Sequence, residues 1–325
     1  MNTKVPHIRI YLNLTITTLL AVGLIACGGD GGGSPAAPNA PVAPATPVAI
    51  TSTNAPIVAS AVVSGSTTFA GTSVPSTSPL VSPAASPMLG RFNANATKQA
   101  QNILSNPQFG PTFVRTTPCL VSGSETLDVA DDGSSITVTY NNCSDTVGEV
   151  FNGTIALTNI TRTPTVFSAT SRIDLSVAVT GRPTVRYVGT YNFSTTNTST
   201  GSTTTITGSS FSIIIGSNVT TLSNFSFAET YTTASDLYSI TSNYTLASTV
   251  LGGSVTVTTV SPIQQYGYRI YPFAGQFVVT GANNTKIRVT ILGDETNIGN
   301  DVRIEIDANG DNTYEITILR DWSDL

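Results

Sequence analysis

The sequence predicts an all-β protein: one large antiparallel meander, as a curved sheet, a sandwich or a half-barrel, with one short N-terminal helix. Three observations lead to this prediction. Only 10 % of the residues are charged, against a usual fraction of about 25 %. Apolar residues alternate with threonine and serine, as in Ser254-Val255-Thr256-Val257-Thr258. Turn-forming Gly, Asn and Asp recur between the alternating stretches, with no long helical pattern between them.

The elements follow from the chain in order. Residues 93–105 are predicted as the helix, because Ala96, Ala100 and Leu104 share one face and prolines follow. Ile136, Val138 and Tyr140 predict a strand after a turn at Asp131-Asp132-Gly133. Further strands are predicted at 150–159, 171–180, 185–195, 203–215, 218–232, 237–248, 254–260, 276–281, 286–292, 301–307 and 313–322. Short connections without helices favour antiparallel pairing of neighbours.

The first 92 residues are predicted to lie outside the β domain. Residues 1–26 have a basic start and a short apolar run, which is typical of a secretory signal peptide. Residues 27–92 are rich in Pro, Ala, Ser and Thr, with no charge from 31 to 90, and are predicted as a disordered tether. An alternative makes residues 57–69 a strand of the domain. The antiparallel β domain itself is predicted at 93–325.

The end of the signal resembles the lipobox of bacterial lipoproteins, [LV]-x-[AG]-C, with Leu24, Ala26 and Cys27 in the matching places. The resemblance implies diacylglycerol on the Cys27 sulfur, cleavage before Cys27 and acylation of the new N-terminus, which together give a stable membrane anchor. Gly28 stands where an aspartate favours the inner membrane in Gram-negative members, so the resemblance implies the outer membrane. The alternative is an ordinary secreted protein with a buried free Cys27.

The two remaining cysteines predict a disulfide. The midpoint between residues 119 and 143 is residue 131 (262/2), which lies inside the predicted turn. Cys119 and Cys143 are therefore expected nearly opposite each other across a hairpin, at a separation that a disulfide can span. Export supplies an oxidising compartment, where such bridges persist. A metal-binding or nucleophilic role for either thiol is the lesser alternative.

Near the C-terminus, Asp307, Asn309 and Asp311 resemble the start of an EF-hand calcium loop, D-x-[DN]-x-[DN]. The sixth place holds Asn312 instead of glycine, and the twelfth holds Ile318 instead of the bidentate glutamate. Apolar alternation on both sides indicates a β-hairpin with a polar tip. A structural turn and a weak calcium site are both compatible with this pattern, and calcium is the one cofactor that the sequence suggests.

Composition limits the function. The single histidine, His7, precedes Cys27, which excludes His-based triads and His-ligated metals from the mature chain. No basic patch is present, so nucleic acid is not an expected partner. The paired acids, such as Asp131-Asp132 and Asp294-Glu295, lie in predicted turns, and no enzyme is expected.

As a whole, the chain resembles uncharacterised β-rich lipoproteins of Gram-negative bacteria, through the hairpin ending in Asn141-Asn142-Cys143 and the terminal Asp-Asn-Gly-Asp hairpin. This resemblance implies no activity. We expect a non-enzymatic, lipid-anchored outer-membrane protein that binds or carries an apolar small molecule or lipid. A structural or adhesive surface module built from Thr/Ser-rich sheets is the alternative.

Overall fold

A computed structural model describes residues 42–67, 113–267, 272–293 and 301–321. The described residues belong to one compact unit and are almost entirely β-structure. The predicted all-β meander is confirmed. The predicted helix at 93–105 lies outside the described residues.

One sheet contains all the described strands. Each strand pairs antiparallel with the next along the chain, so the order in the sheet is the order in the sequence. The strands are β1 (Phe113–Pro118), β2 (Ser122–Val129), β3 (Ile136–Ser144), β4 (Glu149–Arg162), β5 (Val166–Val179), β6 (Val185–Thr198), β7 (Gly201–Ile215), β8 (Asn218–Thr232), β9 (Leu237–Ser248), β10 (Gly253–Tyr266), β11 (Ala274–Thr280), β12 (Lys286–Ile291), β13 (Asp301–Asp307) and β14 (Ile316–Asp321).

Of the architectures that the sequence left open, the structure excludes the sandwich for the described strands. The described strands form one open sheet, with β1 and β14 at its edges, so there is neither a second packed sheet nor a closed barrel among them. The turns explain the order of the strands. Most connections are only a few residues long, and a short turn can join only neighbouring antiparallel strands.

The two faces of the sheet differ sharply in chemistry. Along β5, burial alternates from residue to residue, and Phe167, Ile173 and Leu175 are fully buried on one face. This apolar face continues across the sheet to Ile304 on β13, within a single hydrophobic cluster. The opposite, polar face carries mainly Ser, Thr and Asn. The period-2 alternation of the sequence therefore produces one buried apolar face and one polar face directed to solvent.

One helix, α1 (Ala55–Thr67), packs against the apolar face, where it contacts β9, β12 and β13. Val58, Ala59 and Val62 are completely buried. The tether prediction and the alternative strand prediction are therefore both wrong for these residues. The segment has no charge and is apolar nearly all round, a composition that is typical of a buried helix and lacks the amphipathic period. Pro56 in the first turn fits a helix start.

Residues 42–50, which we call the strap, connect the polar side of the sheet to α1. Ala43 packs against Val219 and Ala247 outside the main core. Pro47 forms a parallel bridge with Ser254, and the Val48 N–H donates to the Ser254 carbonyl at 3.0 Å. This part of the predicted tether is also wrong. Backbone hydrogen bonds to the sheet supply the partners that the sequence alone does not reveal.

The strap crosses one particular end of the sheet. Because successive turns alternate between the two ends of a meander, the turns at 119–121, 145–148, 249–252 and 281–285 lie at the same end. The strap contacts the last two of these turns or the strands beside them: the Ser254 N–H donates to Thr46 O at 2.9 Å, and the Ala282 N–H donates to Val48 O at 2.8 Å. We call this end of the sheet the strap end.

Candidate functional site

The predicted lipidation residue, Cys27, lies outside the described residues, so the anchor stays a prediction. In the described ranges, no helix combines the length and the apolar character needed to cross a bilayer.

The predicted disulfide is confirmed: Cys119 and Cys143 are bonded, with their Cα atoms 5.5 Å apart. The register differs from the predicted one. Val129 pairs with Ile136, so the hairpin turn lies at 130–135, and Cys119 falls between β1 and β2 instead of within the hairpin. The bond therefore ties the β1–β2 turn to the end of β3. Because both sulfurs are bonded to each other, neither is a free thiolate for a metal or a nucleophilic reaction.

An acidic side chain lies on the apolar face close to this disulfide. Glu125 on β2 pairs with Tyr140 on β3, and both are partly buried. Burial raises the pKa of the Glu125 carboxyl above its ordinary value, and the negative charge of Asp145 raises it further. Burial, with the charges of Glu125 and Asp145, also raises the pKa of the Tyr140 hydroxyl. The ionised glutamate is therefore unfavourable in the folded state.

Replacement of Glu125 by glutamine should raise the stability at neutral pH. The folded-state pKa of Glu125 is raised, so its contribution to stability is full below the unfolded value of about 4.5 and is lost as pH rises through the folded pKa. Glutamine cannot ionise and avoids this loss. Urea unfolding of both proteins from pH 4 to pH 8 should show that the variant has the larger free energy of unfolding, and that its advantage grows with pH.

The matched control is the same substitution in an Asp145→Asn background, where the gain at pH 7 should be smaller because one cause of the raised pKa is gone. A gain that is equally large at pH 4 would contradict the assignment to ionisation.

The terminal hairpin brings the predicted acidic residues together and adds one. Carboxylate oxygens of Asp307, Asp311 and Glu315 lie within 4.8 Å of one another. Glu315 was missed by the sequence analysis, although its place is the ninth of the loop, a position that supplies a calcium ligand in EF-hands, often through water. Asn309 lies between them, and its side chain amide donates to Asp311 Oδ2 at 3.1 Å.

The carboxylate oxygens already have backbone partners. Asp307 is fully buried, and its two oxygens accept the N–H groups of Gly310 at 2.7 Å and Asn312 at 2.9 Å. Asp311 accepts the Thr313 N–H at 2.7 Å, which lowers the pKa of its carboxyl. Such a set of side chain to backbone bonds stabilises a turn by itself. The arrangement fits the structural turn well, and a calcium role stays a prediction.

Substitution of Asp307 by asparagine separates a role in the turn from a role in calcium binding. Asparagine keeps one acceptor oxygen, so either the Gly310 or the Asn312 N–H loses its bond to this side chain, and we expect the free energy of unfolding to fall by about 1–2 kcal/mol. The loss should be the same in calcium-free buffer and in millimolar calcium, as measured by urea unfolding. Asp311→Asn, which changes an exposed acid of the same loop, is the control and should cost less. A thermal midpoint that rises with added calcium only in the wild type would instead support a calcium site.

Helix α1 is fastened to β9 by a buried polar cluster, which we call the helix seat. The Tyr244 hydroxyl donates to the Val62 carbonyl at 2.7 Å and lies 2.9 Å from Ser66 Oγ. Ser242 Oγ donates to Ser66 Oγ at 3.3 Å. Burial raises the pKa of Tyr244, so the hydroxyl keeps its proton. The helix and the sheet approach closely here, because a Cβ on Gly65 would lie 2.9 Å from the Tyr244 hydroxyl.

Beyond the helix seat, the apolar face carries a group of aromatic rings on β5, β6 and β7. Tyr191 contacts Phe211 with ring centres 6.0 Å apart, and Phe167 contacts Phe193 at 5.8 Å. These side chains are at most 4 % exposed. A second group, Phe225, Phe227 and Tyr244, leads to the helix seat, with Phe227 stacked on Tyr244 at 5.5 Å. The sequence showed these residues only as alternating apolar positions.

Comparison with known proteins adds no relative: no protein family, no curated protein and no solved structure matches this chain.

Proposed function

We propose that this chain is a non-enzymatic, lipid-anchored protein of the outer membrane that binds an apolar ligand of the acyl-chain class on the apolar face of its sheet. The observation that carries the proposal is the position of α1. An uncharged helix, apolar nearly all round, lies on this face and contacts β9, β12 and β13. It occupies the place that an elongated apolar ligand would take.

The chemistry of the contact supports exchange between α1 and a ligand. The described helix side chains that meet the sheet are mostly alanine and valine, and they bring no charge and no ion pair. An acyl chain offers the same alkyl surface, and apolar burial depends on area more than on direction. The polar part of the contact is confined to the helix seat around Tyr244.

The open sheet supports access to this face. A closed barrel would have to break hydrogen bonds between strands before anything larger than water could enter it. In the described strands, β1 and β14 are edges that do not pair with each other. The sheet can therefore change its curvature without breaking the hydrogen bonds between any pair of strands. The aromatic groups then extend the apolar surface from the helix seat towards β5.

One further observation favours the alternative function, a structural or adhesive surface module. On the polar face, hydroxyl and amide side chains lie directly opposite each other in a row across six strands, from β4 to β9. The row is Thr158, Thr170, Asn192, Thr207, Ser226 and Asn243. Five of the six are exposed. Such a neutral, hydrogen-bonding surface suits contact with another polar surface.

Native mass spectrometry tests the ligand proposal. The chain from Gly28 onward, exported to an oxidising periplasm behind a cleavable signal, should retain a lipid-sized adduct that is lost on denaturation. Gly65→Val, which pushes α1 away from Tyr244, should increase the fraction of adduct. Leu319→Asn, at an exposed position on β14, is the control and should leave that fraction unchanged.

Bare masses for both the wild type and Gly65→Val would overturn the ligand proposal and favour the adhesive alternative. The anchor is tested separately: a labelled fatty acid should be incorporated into the full chain and lost in Cys27→Ser.

A further inference from the structure

Exposed aliphatic side chains collect at the strap end of the sheet. Val147 is 85 % exposed and Leu120 is 75 % exposed, and both lie in turns at this end. Val121 is exposed beside Leu120, and Val250 is exposed in the turn between β9 and β10. Val42, at the start of the strap, is 72 % exposed. Single exposed aliphatic residues are ordinary, but Leu120, Val121 and Val147 lie in the turns of the adjacent pairs β1–β2 and β3–β4, where they can form one apolar contact surface.

The most exposed part of this end, Leu120, Val121 and Val147, is held firmly in place, and we call it the tip. The disulfide fixes Cys119 to Cys143 on either side of it. The Leu120 N–H donates to Asp145 Oδ1 at 2.9 Å, and the Val121 N–H donates to the Ser144 carbonyl at 2.7 Å. The backbone is therefore satisfied within the two turns, and the alkyl side chains project from a stable support.

The chain reaches the domain at this same end. The strap crosses the turns at 249–252 and 281–285 before α1 begins. Between Cys27 and Val42 there are 15 chain steps (42 − 27). At roughly 3.3–3.6 Å per residue, these steps span at most about 50 Å. A tether that ended at residue 92 would have been several times longer, so the 15 steps to Val42 keep the strap within about 50 Å of the point of attachment.

We propose that the strap end docks on the surface of a lipid bilayer, with Leu120, Val121 and Val147 in the interfacial region. The proposal rests on the anchor at Cys27 for the nearness of the bilayer, and on the tip for the contact itself. Aliphatic side chains gain free energy in the interface in proportion to the apolar area that they bury. The docked orientation points the opposite end of the sheet away from the membrane.

The charge of the chain sets the preferred lipid. The formal net charge is −5, and removal of Lys4 and Arg9 with the signal makes it −7 (−5 − 2). Asp145 adds a negative charge at the tip itself. Anionic lipid should therefore weaken the contact, and vesicles of zwitterionic lipid should bind better than anionic ones at low salt.

The test uses the chain from Gly28 onward, which carries no acyl group, in flotation with phosphatidylcholine vesicles and with vesicles that contain phosphatidylglycerol. The wild type should float with phosphatidylcholine. Leu120→Asn/Val147→Asn should reduce the bound fraction about ten-fold or more. Val114→Asn/Leu319→Asn is the matched control, because these two side chains are 60 % and 61 % exposed but lie away from the strap end. It should float like the wild type.

A fluorescence measurement keeps the proposal testable if a polar variant fails to fold. Addition of vesicles should shift the emission of Leu120→Trp to shorter wavelength and leave Val114→Trp unchanged. Equal flotation of the tip variant and the wild type, no flotation of the wild type, or a shift in both tryptophan variants would overturn the proposal. The result is separate from ligand retention: a protein that floats but carries no adduct keeps its docking surface and loses the carrier function.

Discussion

Replacement of both Cys119 and Cys143 by serine should lower the free energy of unfolding by about 3 kcal/mol. The bond closes a loop with a sequence separation of 24 residues, and in the chain-entropy description a loop of this size restricts the unfolded chain by about that amount. Urea unfolding of the oxidised wild type and of the double variant, followed by circular dichroism, measures the difference directly.

The reduced wild type is the control for this prediction. A reducing agent should bring the wild type to the stability of the double variant and should not affect the variant itself. If the double variant were as stable as the oxidised wild type, the bond would contribute nothing to the fold. The substitution also bears on membrane docking, because the tip at Leu120 and Val147 depends on the same bond for its support, so the reduced protein should float less well than the oxidised one.

Substitution of Gly65 by valine should destabilise the protein by about 3 kcal/mol, the upper part of the range for overpacking in a filled core. The new Cβ would lie 2.9 Å from the Tyr244 hydroxyl and 3.1 Å from Leu246 Cδ1, so the helix must move away from β9. That movement also lengthens the hydrogen bond from Tyr244 to the Val62 carbonyl. Thermal and urea unfolding measure the loss.

Two variants separate the parts of this effect. Tyr244→Phe removes the hydroxyl without adding bulk and should cost about 1–3 kcal/mol, because Ser66 and the Val62 carbonyl each lose a buried hydrogen bond. Tyr231→Phe removes a hydroxyl that bonds Asp236 at the other end of the sheet, and it should cost less than 1 kcal/mol. A Gly65→Val protein as stable as the wild type would mean that α1 is not seated against β9.

Local chemistry made most of the sheet predictable. Alternation of apolar and hydroxyl side chains, as along Ser254–Thr258, follows from the pleat of a strand and needs no knowledge of distant residues. The acidic hairpin was also predictable, since Asp307, Asn309 and Asp311 bond to backbone groups only a few residues away. Glu315 was missed because its part in the cluster depends on the pairing of β13 with β14.

The helix and the strap were beyond the reach of local signals. Residues 55–67 lack the amphipathic period because several sides of α1 are covered, and burial on several sides is a property of the assembled fold. The strap forms hydrogen bonds with Thr221, Ser254, Ala282 and Thr285, which lie far along the chain, with separations of 178 to 235 residues. A Pro-rich segment without charge has the same composition whether or not such partners exist, so composition alone predicted a tether.

By itself, the sequence determined the all-β class, the antiparallel meander and the pairing of Cys119 with Cys143, because these depend on side chain period, turn chemistry and a short separation along the chain. Only the tertiary structure decided that the strands form one open sheet, that α1 lies on its apolar face and that the tip lies at the same end of the sheet as the turns that the strap crosses. These features depend on contacts between residues far apart in the chain, whose free energy is gained only when the whole sheet has formed.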